Sequence, residues 1–180
     1  ELRKKNKEAH EFMQFVTDEI IKFARAQIDA GADIIAISDP SGSGEILGPR
    51  DFEQFAVKYI NQVIDSLQDE KIGTIVHICG QMRSVYKQID MINSNVLSFD
   101  SVVSMKNARM SLANRVLMGN VSTYALEFGT PKKISSLIHK CIEDGSDIIS
   151  PACGLGTKSP LKNIQTILHT LKQEEIEVNA

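Results

Sequence analysis

Apolar positions along this chain switch repeatedly between helical and strand spacing. From Phe12, the residues Phe12, Phe15, Val16, Ile20, Phe23, Ala24 and Ile28 recur at three and four, which predicts a helix that Gly31 can end. Ala32-Asp33-Ile34-Ile35-Ala36-Ile37-Ser38 follows as a buried strand and opens into the Gly/Ser-rich loop Asp39 to Pro49. A second helix is expected from about Asp51, with Phe52, Phe55, Ala56, Tyr59, Ile60, Val63, Ile64 and Leu67 on one stripe. Residues 73–77 read as a strand and Met82, Val85, Ile89 and Ile92 as a helix. A shorter unit at 95–100 leads into a helix from Val102 to Leu112, and Arg115 to Asn120 reads as the fourth strand. Thr130-Pro131 supplies a cap and a first-turn proline for the next helix. Asp147-Ile148-Ile149-Ser150 is the last strand, and Ser159-Pro160 opens a final helix to about Leu171. The polar tail 174–180 is expected to fray.

Five strands alternating with helices imply a parallel α/β sheet with helical crossovers, either a (β/α) barrel or a doubly wound sheet. No G-x-G-x-x-G follows the first strand, so dinucleotide binding has no support. The length of 180 residues fits one domain, 1–180. A net charge of −3 gives no electrostatic reason for a nucleic-acid or membrane partner, and no apolar run approaches the roughly 18 residues of a membrane span. Three cysteines argue for a reducing, cytoplasmic setting over a disulfide framework. The start at Glu1, without Met, is expected of a piece of a longer protein.

Polar residues gather at the expected C-terminal strand ends, where parallel α/β folds build their sites: Asp39, His77, Cys79, Asp100, Asn120 and Cys153. His77 and Cys79, at i and i+2, project to one side of a strand. If the strand ending near Cys153 lies beside theirs, the three make a soft N/S2 donor set suited to zinc, with a fourth position open. Read alone, such residues also suit a packed core. Cys141 falls on the stripe Ile134, Leu137, Ile138, Cys141 and reads as a core thiol, whereas His10, His139 and His169 have no partner at metal spacing. The loop containing Ser41 either cradles an anion through its amides or simply needs glycine to turn. Asp39 at a strand end must be used or paired, and for Asp100 and Asn120 capping of the next helix is the structural alternative.

Together these stretches resemble the uroporphyrinogen decarboxylase superfamily, in its methylcobamide methyltransferase branch. The matching runs are Ile37-Ser38-Asp39-Pro40, Gly44 to Pro49, His77-Ile78-Cys79-Gly80, Leu97 to Asp100, Met118 to Val121 and Ser150 to Gly154. The resemblance implies a (β/α)8 TIM barrel, of which this chain supplies about five C-terminal β/α units. It implies Zn2+ on His77, Cys79 and Cys153, which would also be the catalytic residues, and substrate binding by Asp39, Ser41, Asp100 and Asn120. The implied reaction moves a methyl group from a methylated corrinoid protein to a zinc-activated thiol such as coenzyme M. Transfer to tetrahydrofolate, decarboxylase-like action on a tetrapyrrole, and a non-catalytic binding module are the alternatives. The apparently absent N-terminal units leave an open barrel edge, which a homo-oligomer would cover.

Overall fold

The computed structural model describes residues 2–68 and 72–178, with side chains to residue 174. The chain divides into two compact units, Glu1–Val96 and Leu97–Ala180.

In the first unit, α1 (Asn6–Asp29) begins six residues before the expected start, and β1 (Ile34–Asp39) follows it. A helical stretch, α2 (Gly44–Asp51), comes next. It turns sharply at Gly48 and runs into a π-helical segment, Phe52–Val57, and then α3 (Lys58–Asp65). Strand β2 (Gly73–Ile78) pairs in parallel with β1, from Ile34 opposite Gly73 to Asp39 opposite Ile78. The short α4 (Tyr86–Ile89) covers only part of the expected helix, yet Met82, Val85, Ile89 and Ile92 are all buried.

Every residue of the stripe from Phe52 to Leu67 is buried, although its first third is π-helical. Burial is what the sequence specified there. Each such side chain contributes on the order of 1.5–3 kcal/mol, enough to hold a locally widened helix in the core. The first helix differs from its expected arrangement. Phe12, Phe15 and Phe23 are 64%, 63% and 65% exposed, while Thr17 and Ala24 form the buried side, with Ile21 and Ile28 packed beside the core. The apolar arc of α1 is wider than the one face that α3 and β1 cover, so its aromatic row lies outside.

In the second unit, β3 (Val96–Phe99) and β4 (Val116–Met118) are hydrogen-bonded neighbours. Between them lies α5 (Met105–Ser111), capped by Ser104. After β4 come α6 (Thr123–Phe128), α7 (Pro131–Glu143) with Thr130 as its cap, and α8 (Leu161–Val178). The expected strand 147–150 contracts to two parallel bridges, Met118 to Ile148 and Val121 to Pro151. The sequence offers no separate signal for α6 beyond the Ser122 cap and the Gly129 stop, which a reading by apolar stripes passes over. Helix α8 continues past Leu171 through the expected tail, and residues 179–180 lie outside the described residues. Ile134, Ile138 and Cys141 of α7 pack with Val121, Leu126 and Ile167 in the core of this unit.

Candidate metal centre

The C-terminal end of β2 carries the first two donors. His77 is its penultimate residue and Cys79 follows its last, so the i, i+2 relation holds through the strand end. Their donor atoms, His77 Nε2 and Cys79 Sγ, are 3.4 Å apart, and both residues are half-buried. Zinc ligands at roughly 2.0 Å (nitrogen) and 2.3 Å (sulfur), spread at a tetrahedral angle, lie about 3.5 Å from each other. The pair therefore fits one tetrahedral ion without rearrangement; without metal, the same separation suits a thiol–imidazole hydrogen bond. The backbone is fixed on both sides. Cys79 N–H donates to the Asp39 carbonyl at 3.2 Å, and Gly80 takes a left-handed φ of 82° to turn the chain away.

Cys153 is positioned by the second unit. The Arg109 guanidinium donates to the carbonyls of Gly145 (2.8 Å) and Arg115 (2.9 Å) and pairs with Asp147. Asp147 in turn accepts from Leu117 N–H at 2.8 Å. The ladder continues as Gly119 N–H to Ile148, Val121 N–H to Ser150 and Ala152 N–H to Val121. Cys153 is the next residue, exposed at the head of the loop 153–160. It is thus also a strand-end cysteine, unlike Cys141, which is 6% exposed in the core as expected. Burial pushes the Cys141 thiol pKa up, and the Asn120 backbone N–H facing its sulfur at 3.4 Å partly offsets this.

The remaining candidates carry structural bonds. Asp39 Oδ1 accepts from Ser41 N–H (3.0 Å) and Gly42 N–H (2.7 Å), an Asx turn that shapes its own loop, with Ser41 exposed on it. The loop thereby turns those amides inward, and Gly44 N–H is bonded to the Gln81 carbonyl, which leaves little of an anion cradle. Asp100 Oδ1 accepts from Val102 N–H at 3.2 Å. The Asn120 amide donates to the carbonyls of Asp100 (2.9 Å) and Val103 (2.8 Å), tying the loop after β3 to the end of β4. Of the histidines, His10 Nδ1 meets Tyr59 Oη at 2.8 Å with its ring stacked on Phe55, and His139 lies 2.9 Å from Glu174.

The family model for uroporphyrinogen decarboxylase (URO-D) matches residues 1–174. The chain belongs to the uroporphyrinogen decarboxylase family. It is 30% identical over 161 residues to the methylcobamide:CoM methyltransferase MtbA of Methanosarcina acetivorans, covering 89% of this chain and 48% of that protein. A uroporphyrinogen decarboxylase of Crocosphaera subtropica is 29% identical over 170 residues, covering 91% and 47%. Among solved structures, a methyltransferase from Methanosarcina mazei superposes with a TM-score of 0.81 at 28% identity, over 88% of this chain and 47% of that one. The fold is α/β of this family's barrel type, and the chain spans about half the length of the curated relatives it matches. Among the described residues no helix is long and apolar enough to cross a membrane.

Proposed function

We propose that Cys153 joins His77 and Cys79 in one zinc centre, and that the protein transfers a methyl group from a methylated corrinoid protein to a thiol such as coenzyme M. The observation that carries the reading is the 3.4 Å separation of His77 Nε2 and Cys79 Sγ at a strand end. Relatives named for methyl transfer between methylcobamide and CoM supply the reaction. Zinc with an open fourth position would hold the acceptor sulfur as a thiolate near neutral pH. The two cysteines contribute negative charge and His77 a neutral donor, which keeps a bound sulfur electron-rich. In this reading Asp100 and Ser41 orient the acceptor, while Asp39 and Asn120 hold the loops around it.

The chain is read as the C-terminal part of one barrel, with a homo-oligomer covering the open barrel edge. Sedimentation showing only monomer at high concentration would remove that last element. The test of activity is incubation of the zinc-loaded chain with methylcobalamin and coenzyme M. Cobalamin demethylation with matching loss of free thiol is expected, and no reaction above the metal-free control contradicts the proposal. A decarboxylase reading has the Crocosphaera relative in its favour; porphyrinogen turnover independent of metal would select it.

A further inference from the structure

The β1–α2 loop and the turn after Cys79 are fastened to each other at three points. Cys79 N–H donates to the Asp39 carbonyl at 3.2 Å, Gly44 N–H to the Gln81 carbonyl at 3.1 Å, and Ser84 Oγ to the Gly44 carbonyl at 3.2 Å. Gly44 is bonded through both of its backbone groups, the N–H as donor and the carbonyl as acceptor. Only glycine allows this approach: a Cβ there would stand 2.7 Å from Val85 Cγ2, 2.9 Å from Ser84 Oγ and 3.0 Å from the Gln81 oxygen. The opposite side is also close, since a Cβ on Gly80 would meet the Ser43 Cβ at 3.0 Å. Ser43 is buried and caps α2 through Ile46 N–H. The Asx turn of Asp39 stiffens the approach from the β1 side.

We infer that Gly44 and Ser84 are positioning residues for the metal centre: they clasp residues 79–84 to residues 39–44, so that Cys79 Sγ faces His77 before metal arrives. The inference rests on the proposed metal centre and adds its supporting shell. Neither residue is one of the proposed ligands, and the Ser84 hydroxyl is donated to the Gly44 carbonyl. Their effect is to remove conformations in which Cys79 turns away, an entropy that an unclasped loop would lose on binding. The Gly/Ser-rich segment is thus a template for a ligand loop.

The test is zinc affinity of the full chain by chelator competition, beside the visible spectrum of the cobalt(II)-substituted protein. Ser84→Ala, which deletes one hydrogen bond, should weaken zinc about fivefold. Gly44→Ala, which wedges the loops apart, should weaken it by roughly ten- to a hundredfold. In both variants the thiolate-to-cobalt absorption should broaden and lose intensity, and Ser84→Thr, which keeps the hydroxyl, should restore the parent spectrum and affinity. Unchanged affinity and spectrum in a folded Ser84→Ala protein overturn the clasp, whether or not Gly44→Ala folds. Absence of zinc binding by the unaltered chain overturns the metal centre itself, and the clasp with it.

Discussion

The turn after β2 and the loop after Ala152 each begin with a cysteine at a strand end, but they are built in opposite ways. Residues 79–84 are bonded to a neighbouring loop at three points and flanked by glycines that permit the approach. Residues 153–158 emerge from a well-braced strand end, and then the amides of Gly154, Leu155 and Thr157 find no acceptor among the described residues. In the first unit the ligand-bearing loop itself is held. In the second, backbone ladder bonds bring the chain as far as Ala152, the residue before the cysteine.

The strongest way to break the comparison is to remove a donor from each side. Cys79→Ser and Cys153→Ser should each weaken zinc by roughly a hundredfold or more, measured by metal analysis after dialysis against a chelator. Full retention in either variant removes that cysteine from the site. Next in size is the brace behind Cys153. Arg109→Ala leaves the Gly145 and Arg115 carbonyls and Asp147 without their donor, and should cost about 2–4 kcal/mol in denaturant unfolding. A cost under half a kcal/mol would mean that solvent replaces the guanidinium. Hydrogen exchange sharpens the contrast directly: the Gly44 amide should exchange roughly tenfold or more slowly than that of Gly154. Equal rates would show that the clasp opens freely.

The smallest effect concerns Cys141. Its folded-state pKa is raised above the ordinary thiol value of 9.0 by burial. A raised pKa means that the unfolded state releases its proton first, so the contribution to stability is complete below about 9 and is lost as pH rises through the folded value. Cys141→Ala should therefore flatten the alkaline fall of the melting temperature above pH 9. An unchanged alkaline profile would assign that fall to other groups.

The stripe from Phe52 to Leu67, the strand ends and the core role of Cys141 were legible because each follows from local spacing and burial. The π-helical geometry of Phe52–Val57 was not, since widening a turn leaves the same residues on the buried side. Nor was the exposure of Phe12, Phe15 and Phe23, because periodicity reports an apolar arc and not what is present to cover it. The strand at 147–150 was legible as apolar sequence, but its pairing reduces to two bridges. For the site, the pattern located His77, Cys79 and Cys153 at strand termini. It could not reveal that Asp39 spends its carboxylate on Ser41 and Gly42, or that Ser84 reaches Gly44, forty residues away. Those are contacts between loops, and no spacing rule encodes them.

The central claim is one zinc held by one imidazole and two thiolates. X-ray absorption of the zinc-loaded chain tests it most directly. The account predicts two sulfur scatterers near 2.3 Å and a nitrogen shell near 2.0 Å that includes an imidazole pattern. A first shell of nitrogen and oxygen alone, or with a single sulfur, would contradict it.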